Sequence, residues 1–179
     1  AALEAHPVAD QRMRVEHCCY ATPAIRARLK RLGAVDSSAT GFMYDLGDAY
    51  VANRGAAAMQ DMWPHRSLID SGIPAPGHSD AAVCRLDPWA AMWAMVNRKS
   101  GLGADLDARE AVTPREALEA YTRLGAWSGF EENVKGTLEV GKVADFIVLD
   151  RDLFAIDRDD IRNVTPLMTF VGGELRHQA

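Results

Sequence analysis

The stretch Arg12-Met13-Arg14-Val15-Glu16-His17 alternates in polarity, and this pattern predicts a β-strand that ends at His17. A helix is predicted directly after it, because Thr22 can cap the first turn and Pro23 suits the first helical position. Gly33 can end that helix in the left-handed conformation. Residues 12 to 33 are therefore predicted to form one strand–helix unit.

The alternation of strand and helix continues after Gly33. A short strand is expected over Ala34–Ala39, although Asp36 is unexpectedly polar for it. Helices are predicted around His65 to Asp70, after the cap at Asp87, and after a capping box that begins at Thr113. Helical spacing predicts a buried stripe in the second of these, made of Trp89, Met92, Trp93 and Val96. Such alternation favours a parallel sheet or barrel.

Two segments fit regular elements less well. Residues 40 to 60 contain three glycines and are expected to be a long loop over the active face. Tyr44 and Arg54 in this loop are candidates to contact a substrate, or they simply anchor the loop. The run from Ile73 to Asp80 is expected to be a strand, yet Pro74 and Pro76 are unusual there because proline cannot donate to a ladder.

The pattern changes in the last third of the chain. An apolar strand is predicted over Phe146 to Leu149, and Gly172-Gly173 indicates the turn of a β-hairpin. We expect a boundary near Gly129, with an α/β portion over residues 1–129 and a small β portion over residues 130–179.

Composition and charge exclude several classes of function. The net charge is −5, and the 20 basic residues are scattered among 25 acidic ones, so nothing resembles a nucleic-acid-binding stripe. The apolar runs are too short to span a bilayer, and the N-terminus lacks the pattern of a signal peptide. Three cysteines, two of them adjacent, argue against a disulfide framework. A cytoplasmic protein is expected.

His17 and Asp80 are the residues best placed for chemistry. His17 ends one predicted strand and Asp80 follows another, and the carboxyl ends of parallel strands meet on one face. An imidazole and a carboxylate are suitable ligands for a divalent cation, and a carboxylate can also take a proton from water. Each has a plainer alternative, a hydrogen-bonded structural histidine for His17 and a helix or turn cap for Asp80.

The remaining candidates have weaker patterns. His78 lies two residues before Asp80 and could support the site, whereas exposed or capping roles are expected for His6, His65 and His177. Cys18 and Cys19 could suggest a thiol nucleophile, but no strand–helix elbow surrounds them, so small buried residues are the better interpretation.

Several motifs in order resemble one family, the amidohydrolase superfamily. They are Arg14-Val15-Glu16-His17, Arg66-Ser67-Leu68-Ile69-Asp70-Ser71-Gly72-Ile73-Pro74, Gly77-His78-Ser79-Asp80-Ala81, Leu86-Asp87-Pro88-Trp89, Thr113-Pro114-Arg115-Glu116-Ala117-Leu118, Lys135-Gly136-Thr137-Leu138-Glu139-Val140-Gly141-Lys142-Val143-Ala144-Asp145 and Val171-Gly172-Gly173. They extend over the whole chain, and the branch resembled is the one that includes N-substituted formamide deformylase.

The resemblance implies a (β/α)8 TIM-like barrel with a small β-sandwich, and hydrolysis of an amide-type C–N bond of a small molecule. It implies that His17 closes strand six as a ligand of the second metal or as a group that orients the substrate. It also implies that Asp80 is the strand-eight aspartate, which binds metal and moves the proton of water. Zinc is the expected metal. The paired histidines after strand one and the ligands of strands four and five would all precede Ala1, so the chain corresponds to the last three barrel strands.

Three hypotheses follow. In the first, the intact protein is a metal-dependent amidohydrolase of which this chain is the C-terminal part. In the second, the chain is a non-catalytic module that forms a homo-oligomer or pairs with its missing N-terminal half, which would cover open sheet edges. In the third, the chain is an unrelated small α/β binding protein and the motif series is a coincidence.

Overall fold

The structure is a computed structural model that describes residues 2–179, with side chains from residue 4 onward. It is a mixed α/β fold. The helices are α1 (Ala2–Ala5), α2 (Pro23–Leu32), α3 (Gly41–Arg54), α4 (His65–Asp70), α5 (Pro88–Asn97), α6 (Pro114–Tyr121) and α7 (Arg123–Ser128). The strands are β1 (Arg14–His17), β2 (Val35–Ser38), β3 (Phe146–Leu149), β4 (Pro166–Val171) and β5 (Glu174–Gln178). Short 3₁₀ helices lie at Ala56–Met59, Ala108–Glu110 and Arg158–Asn163.

The first strand–helix unit is confirmed. Strand β1 ends at His17, and the hydroxyl of Thr22 accepts a hydrogen bond from the backbone N–H of Ile25 at the start of α2. Gly33 ends α2 with φ of 61°. Strand β2 then returns parallel to β1, so that His17 lies beside Ser38.

The proline-containing segment from Ile73 to Asp80 runs along the other side of β2. The N–H of Asp36 donates to the carbonyl of Pro74 at 3.0 Å, and the N–H of Ser38 donates to that of Pro76 at 2.9 Å. The prolines cannot return these bonds because they have no N–H. His78 is the first residue to donate back, to the carbonyl of Ser38 at 3.1 Å. The segment is therefore extended and bonded to β2 without forming a regular strand.

The expectation of a long loop over residues 40 to 60 is wrong. Residues Gly41–Arg54 form the 14-residue helix α3, and a 3₁₀ helix follows it. Two glycines in this helix are needed for packing, because a Cβ atom on Gly41 would lie 2.9 Å from Cα of Ser79, and one on Gly47 would lie 2.9 Å from Cβ of Ser100. The glycines permit close approach of neighbouring chain instead of marking a loop.

Helix α5 forms the centre of the main core. The stripe predicted from helical spacing is buried, with Trp89 at 8%, Met92 at 1%, Trp93 at 5% and Val96 at 5% exposure. Asp87 caps this helix through hydrogen bonds from the N–H groups of Trp89 and Ala90, and the capping box of Thr113 at α6 is also present. These helix predictions are confirmed.

The last part of the chain contains an antiparallel sheet in the order β3-β4-β5. The predicted hairpin is confirmed, since Gly172 and Gly173 join β4 to β5 with φ of 61° and 81°. The segment between β3 and β4 also packs into the main core, through Leu153, Ile161 and Val164. The side chains of β5 are all exposed.

Among the described residues, no helix has both the length and the apolar character needed to cross a membrane.

Candidate active site

His17 and Asp80 come together at the ends of neighbouring chain segments. Nε2 of His17 lies 3.9 Å from Oδ2 of Asp80, and both side chains are partly open to solvent, with 43% and 37% of their surface exposed. Both residues have left-handed backbone, with φ of 69° and 52° respectively. Such a backbone is uncommon for residues other than glycine and turns each side chain away from the regular strand direction.

The separation of these two atoms suits a shared cation. A distance of 3.9 Å is too long for a hydrogen bond. Zinc binds nitrogen and oxygen ligands at about 2.1 Å, so two ligands of the same ion can lie up to about twice that distance apart. One ion can therefore contact both atoms. Within residues 2–179, however, no group of three or more His, Cys, Asp or Glu side chains is placed to hold a metal ion. His17 and Asp80 by themselves therefore do not make a complete metal site.

His78 stands beside His17. The two rings meet edge to face with centroids 5.2 Å apart, and the ring of Phe42 lies 5.5 Å from that of His17 on another side. Nε2 of His78 is 3.0 Å from the carbonyl oxygen of Ser37. Because a carbonyl only accepts, this nitrogen carries a proton, and the bond fixes the ring orientation.

A hydroxyl pair supports the segment that carries His78 and Asp80. Oγ1 of Thr40 and the phenol oxygen of Tyr121 are 2.7 Å apart. Gly77 passes directly over this pair, since a Cβ atom there would lie 2.8 Å from Oγ1 of Thr40 and 2.9 Å from the Tyr121 ring. The N–H of Gly77 also donates to the carbonyl of Ala120 in α6 at 3.1 Å. Sequence reasoning missed both hydroxyl residues, because their partnership exists only in the folded chain.

The two candidates from the expected loop lie on helix α3. The ring of Tyr44 packs edge to face on Trp93 at 5.7 Å and carries the guanidinium of Arg85 over it at 4.8 Å. Arg54 is exposed at the end of the helix. Among the described contacts, none joins either residue to His17 or Asp80, so the structure does not bring them into this pair.

The cysteines next to His17 are not prepared as nucleophiles. Both thiols are half-buried, and burial raises the pKa of Cys18 to about 12 and that of Cys19 to about 11. A thiolate is the reactive form, so both groups are unreactive at neutral pH. The expected exposed or capping role is wrong for His65, which is 1% exposed and whose pKa burial lowers to about 4.

Comparisons with known proteins agree on one family. The sequence model of the amidohydrolase family matches residues 1–177. N-substituted formamide deformylase of Arthrobacter pascens is 32% identical over 171 residues, which are 95% of this chain and 32% of that protein.

Two uncharacterised metal-dependent hydrolases have similar structures. The one from Pyrococcus furiosus has a TM-score of 0.69 at 28% identity, and covers 86% of this chain and 31% of its own. The one from Pyrococcus horikoshii has a TM-score of 0.72 at 25% identity, covering 88% and 32%. The chain thus spans about a third of the length of these relatives.

Proposed function

The chain belongs to the amidohydrolase family, and from this membership we propose that it is the C-terminal part of a metal-dependent hydrolase that cleaves an amide-type C–N bond. The single observation that carries the proposal is the 3.9 Å approach of Nε2 of His17 to Oδ2 of Asp80 at the end of the parallel strands. We further propose that residues 1–129 complete a (β/α)8 barrel and that residues 130–179 belong to a small β domain. A cytoplasmic location stays a prediction from the sequence.

His17 and Asp80 would hold a divalent cation, and zinc suits an imidazole–carboxylate pair. Such a cation, when bound, lowers the pKa of water and polarises a carbonyl oxygen. The remaining ligands would come from a part of the protein outside this chain, which the greater length of the relatives supports.

Asp80 has the role of proton carrier in this proposal. Its carboxylate takes a proton from the attacking water as the new C–O bond forms at the substrate carbon. The same carboxyl then gives the proton to the leaving nitrogen as the C–N bond breaks. His78 keeps its Nε2–H on the carbonyl of Ser37 and holds the neighbouring His17 ring in place.

The alternative is a non-catalytic module. The incomplete ligand group among residues 2–179 and the exposed side chains of β1 and β5 favour it. Such a module would form a homo-oligomer or pair with an N-terminal half. A monomer of this chain that holds stoichiometric zinc tightly and hydrolyses amides would contradict it.

The test of the hydrolase uses the longer protein that carries this sequence, with N-substituted formamides as first substrates because of the relative's name. We expect Asp80→Asn to lower kcat by about a hundredfold or more, the range of general base catalysis. Asp105→Asn, an exposed carboxylate elsewhere, is the matched control and should keep full activity. Normal turnover of Asp80→Asn with metal bound would show that the mechanism is wrong.

A further inference from the structure

A second concave region lies on elements other than those that carry His17 and Asp80. It is a cavity of about 410 Å³ between the end of α5, the loop of residues 99–103 and the 3₁₀ helix Arg158–Asn163. Trp93 and Asn97 of α5 line one side of it, and the loop and the 3₁₀ helix line the other sides. The volume is sufficient for a small organic molecule.

The lining of this cavity is basic. Lys99, Arg158 and Arg162 all line it, against one carboxylate, Asp159. Most arginines of the described chain form ion pairs, for example Arg12 with Glu132 and Arg66 with Glu116. Within residues 2–179, none of the three cavity cations has an ion-pair partner. Positive charge therefore exceeds negative charge in the lining of this concave surface, with three cations against one carboxylate.

The loop that closes the cavity is held firmly. Asp48 of α3 accepts hydrogen bonds from the hydroxyl of Ser100 at 2.7 Å and from the N–H of Leu102 at 3.3 Å. The N–H of Gly101 donates to the carbonyl of Tyr44 at 2.8 Å, and a Cβ atom on Gly101 would lie 2.9 Å from that oxygen. A loop fixed by helix α3 pre-organises the cavity and lowers the entropic cost of binding.

The opposite wall is fixed as well. The guanidinium of Arg162 lies over the ring of Trp93 at 4.6 Å, which orients it by a cation–π contact. Nδ2 of Asn97 donates to the carbonyl of Arg158 at 3.0 Å and ties the 3₁₀ helix to α5. A plainer explanation is that the cations only balance the negative end of α5. Neutralising the end of α5 would require neither the cavity nor the hydrogen bonds that hold the loop of residues 99–103 in place.

We propose that this cavity is a binding site for a small organic anion with two or more charged groups, either carboxylates or phosphates. Arginine guanidinium groups recognise both kinds of oxyanion through paired N–H donors. Lys99 adds a point charge from the loop side, and the ring of Trp93 holds the guanidinium of Arg162 in place.

The experiment is isothermal titration of the 179-residue chain at low salt with citrate, pyrophosphate and acetate. We expect citrate or pyrophosphate to bind and singly charged acetate not to bind. Whichever of the two binds more tightly identifies the anion class. Arg158→Gln and Lys99→Gln should each weaken binding by about tenfold or more, the loss expected for one charge-assisted hydrogen bond.

Arg28→Gln is the matched control, since Arg28 is exposed on α2 and does not line the cavity. Circular dichroism of each variant checks that it is folded. The proposal is overturned if neither citrate nor pyrophosphate binds. It is equally overturned if Arg28→Gln weakens binding as much as the cavity variants, because attraction would then come from general surface charge.

Discussion

Two regions of the molecule bury an ionisable side chain almost completely, and they treat it in opposite ways. Arg98, at the end of α5, is 1% exposed and donates to the carbonyl oxygens of Met62, Trp63, Leu106 and Asp107. Asp36, on β2, is 0% exposed, and within the described chain neither of its carboxyl oxygens has a hydrogen-bond partner.

Burial shifts the pKa of both groups strongly, but only the arginine keeps its charge at neutral pH, because the ordinary pKa of arginine is far higher. Burial lowers the pKa of Arg98 only to about 10, so the guanidinium stays charged at neutral pH. Burial raises the pKa of Asp36 to about 7, and the nearby thiol of Cys18 only partly offsets this effect. Arg98 links several chain segments, whereas Asp36 destabilises the folded state when it is charged above neutral pH.

The largest expected effect is the loss of Arg98. Arg98→Met would leave its carbonyl partners buried without donors, and each such group costs about 1–3 kcal/mol. We expect a loss of at least about 5 kcal/mol, comparable with the whole stability of a domain. Urea unfolding measures it. Arg28→Met, on an exposed surface, should change the free energy by less than about 0.5 kcal/mol. A stable Arg98→Met variant would break the comparison.

The next effect concerns pH. Since the pKa of Asp36 is higher when the protein is folded, the folded state binds more protons. The contribution of Asp36 to stability is therefore full below about pH 4 and is lost as the pH rises through about 7. A change from 3.8 to about 7 corresponds to up to about 4 kcal/mol.

Asp36→Asn removes the charge and should be more stable than the parent at pH 8 and similar to it at pH 4. Thermal unfolding of both proteins across this range gives the difference. A parent and variant with parallel pH profiles would mean that the carboxyl has found a partner or remains in water.

The smallest effect tests a buried carboxylate that does have donors. Glu110 is 9% exposed and accepts hydrogen bonds from the N–H and the hydroxyl of Ser67. Glu110→Gln keeps one acceptor and presents an amide to the other donor, so we expect a loss of about 1–2 kcal/mol. Ser67→Ala, which removes only the hydroxyl, should cost less. If Glu110→Gln instead stabilised the protein, the charge of Glu110 would be unfavourable in the folded state, as that of Asp36 is.

Local chemistry made part of the fold predictable. The helix boundaries at Thr22, Gly33 and Asp87 follow from residues whose side chains or backbone act within a few positions. Helix α3 was missed because glycine is unfavourable inside helices on intrinsic grounds. Its glycines are required by Ser79 and Ser100, which approach from distant parts of the sequence. No local rule contains that information.

The candidate site also has one part that the sequence predicts and one part that it does not. The approach of His17 to Asp80 could be predicted, because parallel strands bring their carboxyl ends together. The contacts of Thr40 and Tyr121 beneath Gly77 could not, since the two hydroxyls come from residues far apart in the sequence. Strand order predicts which residues approach each other, whereas the groups that support them depend on tertiary packing.

The prolines beside β2 also affect how this region opens. Pro74 and Pro76 accept bonds from β2 without returning any, and the ladder becomes reciprocal only at His78. Amide hydrogen exchange should therefore be slowest for Ser38 and His78. It should be faster for Asp36, which donates to the carbonyl of Pro74 but receives no hydrogen bond from that proline in return. Local opening would begin beside Pro74 and stop before Ser38 and His78. The part of the sheet nearest the candidate site would therefore be the last to exchange.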